Sequence, residues 1–394
     1  MGFGYHGQME NTPPPVTFDS DPAPGTVNFG IGQPSPDLMP TALLRRASDA
    51  FLAASAPLDL NYGERQGSAG FRSALAEFLS EQYGSPTGAE TLFVTAGNSQ
   101  ALDFVCGQFA NAGDTVFIEE PSYFLAHQIF ADHGLRIVGI PMDRGGMCMD
   151  ALRQELTRHS PALLYTIPSY HNPCGVTMEE ERRREVARLS RKHGFVIAAD
   201  EVYQMLHYSE TPPPAFGTLL ADGNILSLGS FSKIMAPALR LGWIQASPDL
   251  MDRILATGVV NSGGSFNHFT SLVLQEAIES GQQSAWLESL QSVYAQRLST
   301  MQQALEQHFD GLAEWETPKG GYFFWLRLAP GVETARLKPL AASYQTGFQP
   351  GDVFSCQDGF RNYIRLSFAH YTDPEILDGV ARLARLLREN GAGL

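Results

Sequence analysis

Residues 224–243 read N-I-L-S-L-G-S-F-S-K-I-M-A-P-A-L-R-L-G-W, and the folding of this stretch decides how the rest of the chain is arranged. Ile225, Leu226 and Leu228 form an apolar run of buried-strand length that breaks at Gly229, and Ser230, Phe231, Ser232 and Lys233 follow at once. Pro237 limits the helix expected behind the lysine, and Arg240 stands seven positions beyond it. A lone lysine is ordinarily a solvated surface cation. Two hydroxyls and a guanidinium around this one are instead the layout of an anion site with an amine in it.

An amine held in a partly dry pocket beside another cation has a lowered pKa, so some of it is neutral near pH 7 and can condense with a carbonyl. Ser230, Ser232 and Arg240 would hold a phosphate by hydroxyl and guanidinium hydrogen bonds. An aldehyde that carries a phosphate satisfies both halves, and pyridoxal phosphate is such a molecule.

The 394 residues are enough for two domains around a large core, and 43% hydrophobic with 18% charged residues is the composition of a globular protein. A formal net charge of -15 opposes nonspecific binding to nucleic acid or anionic membrane, so a phosphate site must be a local device. Cys106, Cys148, Cys174 and Cys356 are scattered, without the spacing of a metal or redox site, and read as reduced thiols of a cytoplasmic protein. No run approaches the roughly 18 apolar residues of a membrane span, and no export signal is expected.

Residues 1–27 carry five prolines among polar residues and are expected to form an extended arm. An amphipathic helix is expected after Gly67, closed by Gly84, and the turn before it holds Tyr62, which could reach a ligand or simply plug a loop. The strand 91–95 leads through Gly97 into a helix whose first amides, at Asn98 and Ser99, suit a phosphate, although many such turns bind nothing. Further strands at 115–119, 163–168 and 195–199 deliver Tyr123, Asn172 and Asp200. A helix with a Thr177–Glu180 capping box lies between the last two. A return strand at 242–246 and a loop at 261–268 follow. Strands alternating with helices imply right-handed crossovers and a mostly parallel α/β sheet sandwiched by helices. Ligands sit beyond the carboxyl ends of such strands, where Gly97, Tyr123, Asn172, Asp200 and Lys233 all fall.

Asp200 is the candidate to keep a pyridine nitrogen protonated, although D-E-V-Y would also suit a helix cap. Asn172 and Tyr203 could hydrogen-bond the ring hydroxyl oxygen and Tyr123 could stack on the ring. Lys233, once released, can act as general base at the substrate Cα. Arg365 alternates with Ile364 and Leu366, so it either faces a cleft and clamps a substrate carboxylate or lies on the surface.

The motifs Y-G-E-R-Q-G, T-A-G-N-S-Q, E-E-P-S-Y, H-N-P-C-G, D-E-V-Y, S-F-S-K-I-M-A-P-A-L-R-L-G-W, P-K-G-G-Y-F-F-W and I-R-L-S-F occur in that order. In this the chain resembles the class I/II aminotransferases, fold type I pyridoxal phosphate enzymes, most nearly the 2-aminoadipate and kynurenine branch. The resemblance implies Lys233 as the Schiff-base lysine and Asp200 on the pyridine nitrogen, with Asn172 and Tyr203 at the ring oxygen and Tyr123 stacking. It also implies a phosphate held by Gly97, Asn98, Ser99, Ser230, Ser232 and Arg240, with Tyr62 reaching in from the second subunit of a homodimer. The substrate carboxylate would meet Arg365, Asn172 and backbone near Gly32, and the pyridoxamine form would carry the amino group from an L-amino acid to a 2-oxo acid. A small α+β domain would combine 28–50 with 286–394 around a large domain of 51–285.

Cys174 stands where the family pattern has threonine, and His171 precedes Asn172 where glutamine is common. Gln33, Tyr322 and Phe266 are expected to wall the substrate side chain. The same fold also runs β-elimination, decarboxylation and racemisation, but an arginine for the α-carboxylate favours Cα–H cleavage. A non-catalytic regulatory relative would need a winged-helix domain, for which 1–27 leave no room, and Lys233 with Asp200 oppose a loss of catalysis. No metal site is expected.

Overall fold

The computed structural model describes residues 23–392. Most of the expected N-terminal arm therefore lies outside the described residues. The strand Ile225–Ser230 is buried over its whole length and sits third from one edge of an eight-stranded sheet. In sheet order the strands are Leu92–Thr95, Gly242–Ala246, Ile225–Ser230, Val196–Asp200, Pro161–Thr166, Thr115–Glu120, Arg136–Asp143 and Gly146–Met147. The central pairs are parallel. Gly242–Ala246 runs antiparallel to both neighbours, and Gly146–Met147 is the other reversed strand.

Both faces of the central strands are covered, which is why Thr115–Glu120, Val196–Asp200 and Ile225–Ser230 are buried at every position and not at alternate ones, whereas Arg136–Asp143 towards the edge is partly exposed. Successive side chains still divide between the faces. Leu226, Leu228, Leu163 and Ala198 join one core cluster, whereas Ile225, Leu164 and Ile197 join another.

A second sheet, four-stranded and antiparallel, has the order Ala313–Trp315, Phe323–Leu328, Tyr363–Ser367 and Gln349–Pro350. The helices Gln282–His308 and Asp373–Glu389 pack together beside it. The early chain returns here too: Val27–Asn28 pairs in parallel with Thr346–Gly347. The next long helix, Thr41–Ala54, packs instead on His268–Glu279, with the Phe51 and Phe269 rings 5.6 Å apart.

Four local expectations need correction. Gly229 does not break its strand; it is required inside it, because a Cβ there would lie 2.1 Å from the ring of Trp243 on the adjacent strand. No helix follows Lys233: residues 231–235 form turns before a 3-10 helix at Pro237–Leu239. Thr177 does not cap a helix, since the helix begins at Glu180 behind Glu179. The buried Arg183 donates Nε to the Met178 carbonyl at 2.9 Å and holds that segment outside the helix. Finally, the loop expected at 261–268 begins inside a short helix, Gly258–Gly263.

Candidate active site

A cavity of about 720 Å³ lies between the C-terminal ends of the parallel strands and the four-stranded sheet. Every residue expected to hold the cofactor or the substrate carboxylate lines it except Gly97 and Tyr62. Gly97 stands just behind the lining, and Tyr62 is 84% exposed, away from the cavity of its own chain.

One end of the cavity is built from anion donors. Ser230 closes its strand and its hydroxyl donates to Ser232 Oγ at 3.0 Å, while the Ser232 amide donates back to Ser230 Oγ at 3.1 Å. The helix Asn98–Phe109 starts with no side-chain cap, so its first amides have no partner within the helix and its positive end faces the cavity. Gly97 precedes it at φ 87°, and a Cβ there would sit 2.8 Å from Arg240 Nη2. Arg240 itself has φ 46°, a left-handed conformation costing an arginine about 1–3 kcal/mol. Its Nη1 donates to the Pro237 carbonyl at 3.2 Å.

At the centre, Lys233 Nζ donates to the Gly32 carbonyl at 3.0 Å. Burial and the nearby Arg365 lower its pKa to about 8, against an opposing pull from Asp200. Asp200 is pushed up to about 6 by burial, although the Tyr165 hydroxyl, donating to Oδ2 at 2.8 Å, favours the carboxylate. Its Oδ1 is buried without a partner. Tyr203 is buried edge-on to Tyr322 and Phe323. Burial raises the Tyr123 phenol to about 12, so it stays protonated.

Arg365 is buried, not on the surface. Its Nη1 donates to Asn172 Oδ1 at 2.9 Å and its Nη2 to the Gly30 carbonyl at 2.8 Å. The guanidinium carbon lies 4.2 Å from the Phe323 ring centroid and 5.1 Å from that of Phe354. Desolvation lowers its pKa to about 10, which leaves it cationic at neutral pH.

Of the three expected pocket walls only Gln33 lines the cavity. Phe266 packs edge-on to Phe93 and Phe104, and Tyr322 lies beneath the lysine with its hydroxyl donating to the Lys233 carbonyl at 3.3 Å. Tyr165, Phe323 and Phe354 are site residues that the sequence reading missed. Tyr165 and Phe323 sit in apolar runs where an aromatic residue reads as core, Phe354 sits in a polar turn segment, and only the tertiary contact distinguishes each. His171 is wholly buried with Nε2 3.1 Å from Glu119. Among the described residues no cluster of histidine, cysteine, aspartate or glutamate could hold a metal ion.

These groups fit pyridoxal phosphate. Amides, hydroxyls and a guanidinium converge at one end, the unpartnered Asp200 oxygen can accept from a protonated ring nitrogen, and an amine of lowered pKa lies between them.

The family model for aminotransferase class I and II matches residues 24–383. The chain is 32% identical to aromatic-amino-acid aminotransferase 1 of Thermococcus litoralis over 92% of this chain and 88% of that one. It superposes on the multiple substrate aminotransferase of Thermococcus profundus with a TM-score of 0.87 at 29% identity, covering 94% and 93% of the two chains. It likewise matches the alpha-aminoadipate aminotransferase of Thermus thermophilus, solved with N-(5'-phosphopyridoxyl)-L-leucine, with a TM-score of 0.83, 30% identity and 93% coverage of each chain. A chain with this fold, this cavity and these relatives belongs to the class I and II aminotransferases, and its reaction is amino-group transfer dependent on pyridoxal phosphate.

Proposed function

We propose that the cavity passes the amino group of an L-amino acid to a 2-oxo acid, with Lys233 as the residue joined to the cofactor and as the acid–base group at the substrate Cα. The observation that carries this is the convergence of an enclosed amine, a buried carboxylate and a buried arginine in one cavity: Lys233, Asp200 and Arg365. Bound pyridoxal phosphate supplies an electron sink for negative charge at that carbon. Displaced from the cofactor by the incoming substrate amine, Lys233 Nζ would remove the Cα proton and return it to the carbon that carried the aldehyde, and its lowered pKa keeps part of it in the neutral form this requires. Asp200 Oδ1 would accept from the protonated pyridine nitrogen. Asn172 and Tyr203 would hydrogen-bond the ring oxygen, and Tyr123 would cover the ring face. Asn98, Ser99, Ser230, Ser232 and Arg240 hold the phosphate, helped by the open backbone at Gly97.

Arg365 takes the substrate α-carboxylate, with Asn172 and the backbone at Gly32 beside it. A Cβ at Gly32 would come within 3.4 Å of Arg365 Nη2, so glycine keeps this approach open.

The functional unit is a homodimer in which Tyr62 of each subunit completes the partner's phosphate site. In support, Leu52, Leu58, Leu60, Tyr62, Val259 and Phe269 are all at least half exposed, and removing such side chains from water against a partner is favourable. The early segment 28–50 with 286–394 acts as a small domain against a large domain of 51–285, with the helix Thr41–Ala54 packed across the division onto His268–Glu279. The cytoplasm is the proposed location. The four cysteines are free thiols, and no helix of the described residues is long and apolar enough to cross a membrane.

The test is the visible spectrum of the cofactor-loaded protein before and after mixing with single L-amino acids in the absence of oxo acid. Conversion of the absorbance to that of the pyridoxamine form identifies the donor and the half-reaction together. No conversion by any amino acid in a broad panel removes the proposal.

A further inference from the structure

Asn267 holds an uncommon position opposite the anion-binding end of the cavity. It is the N-cap of His268–Glu279 and has φ 56°, ψ 43°. Asparagine tolerates this left-handed conformation better than most side chains. Its amide nitrogen donates to the Leu239 carbonyl at 2.8 Å and to the Arg240 carbonyl as well. Arg240 is itself left-handed, at φ 46°, ψ 51°. An arginine does not hold that conformation unaided in a segment of turns. The two carbonyls on either side of the strained residue are gathered by one amide from a different element.

The guanidinium of Arg240 also depends on where its backbone is held. Its Nη2 occupies the space that a Cβ at Gly97 would need, directly behind the amides of Asn98 and Ser99. A change in the Arg240 backbone dihedrals would swing that group away from the helix N-terminus.

The segment carrying Asn267 is fixed in turn. The Ser265 amide donates to the Glu64 carbonyl at 2.9 Å, and a Cβ at Gly63 would lie 2.7 Å from the ring of His268. Asn267 thus stands between the turn that bears Tyr62 and the arginine of the anion site.

We infer that Asn267 is a positioning residue, which locks Arg240 in its left-handed conformation and so sets the affinity of the site for the phosphate of the cofactor. The inference rests on the reading that Arg240 holds that phosphate. Asn267 reaches the cofactor only through Arg240. Its loss should therefore weaken binding of the phosphorylated cofactor and leave its dephosphorylated counterpart unaffected.

The experiment compares pyridoxamine 5'-phosphate with pyridoxamine, neither of which condenses with Lys233, by equilibrium dialysis against cofactor-free protein. The variants are Asn267→Gly, Arg240→Gln and the double substitution. Glycine keeps the left-handed backbone and removes only the amide, which separates the clamp from backbone strain. Asn267→Asp provides a second variant of native shape that has no donor.

Asn267→Gly is expected to lower the preference for the phosphorylated ligand about tenfold, with pyridoxamine affinity unchanged. In the Arg240→Gln background it should produce no further loss. An unchanged preference in both Asn267→Gly and Asn267→Asp overturns the inference, as does a loss of the same size in the Arg240→Gln background. If Arg240→Gln alone leaves the preference intact, the phosphate reading of Arg240 is what fails.

Discussion

Arg365 donates Nη1 to the side-chain oxygen of Asn172 at 2.9 Å across 193 residues of sequence. That bond, the one to Gly30 and the flanking rings of Phe323 and Phe354 fix the plane of the guanidinium, while its buried Nε has no partner. A lysine can supply the charge here but neither the planar fork nor the stacking. Arg365→Lys is therefore expected to raise KM for the amino donor about 10- to 100-fold, with a smaller fall in kcat. Steady-state kinetics with a single donor will show this. An unchanged KM would mean that the α-carboxylate is bound elsewhere.

The pH dependence of cofactor attachment follows from Lys233 and Asp200. Attachment needs the neutral amine, and a pKa of about 8 leaves roughly a tenth of Lys233 neutral at pH 7, against about 0.03% for an ordinary lysine. The rate should rise about tenfold from pH 7 to about pH 9 and then level off. Below about pH 6 protonation of Asp200 removes the acceptor for the ring nitrogen, so retention of cofactor weakens there. Stopped-flow mixing of cofactor-free protein with pyridoxal phosphate measures the first limb. A rate still climbing at about pH 10 would place the amine in its ordinary range and contradict the dry pocket.

The same burial makes the lysine costly to the cofactor-free fold. Its folded pKa is lowered from 10.5 to about 8, so the folded state disfavours the charged form that the unfolded chain prefers. The sign is that this cost is full below about pH 8 and disappears as pH rises towards the unfolded value. At roughly 1.4 kcal/mol per pKa unit the penalty near pH 7 is on the order of 3 kcal/mol. Lys233→Met, similar in length and uncharged, should raise the melting temperature of the cofactor-free protein by a few degrees at pH 7 and by less near pH 10. Calorimetry showing a lower Tm at pH 7 would refute this.

The large sheet was legible because a strand covered on both faces has no polar side, and the runs at 225–230 and 163–166 carry that signature. Once those strands are parallel, the ends that hold Asp200 and Lys233 must meet. What escaped was tertiary. Gly229 reads as a break because glycine usually is one, whereas here it admits the ring of Trp243. T-x-x-E occurs at both 177 and 372, but only Thr372 with Glu375 forms a capping box. The difference is the buried Arg183 side chain, which holds the 178 carbonyl outside the helix. Tyr165 carries no local sign that its hydroxyl meets Asp200. Asn267 reads as part of a plain loop because the two carbonyls it gathers lie 27 and 28 residues earlier.

The proposed dimer makes a prediction that depends on which chain each residue comes from. Tyr62 is 84% exposed and absent from its own cavity, while Lys233 lines that cavity. If Tyr62 serves the partner, each site draws Lys233 from one chain and Tyr62 from the other. Lys233→Ala alone should abolish turnover and the visible absorbance of the loaded protein, and Tyr62→Ala should weaken retention of the cofactor. In a hybrid dimer of these two variants one site carries both substitutions and the other carries neither. Unfolding the two proteins together and refolding the mixture should therefore restore activity at limiting cofactor above the sum of the separately refolded parents. The restored activity should coelute with a dimer and be lost when Phe269→Glu is added to both chains, because a charge buried without a partner at this half-exposed apolar position opposes association. Without restoration in a mixture shown by mass spectrometry to contain hybrid dimers, Tyr62 does not complete the neighbouring site.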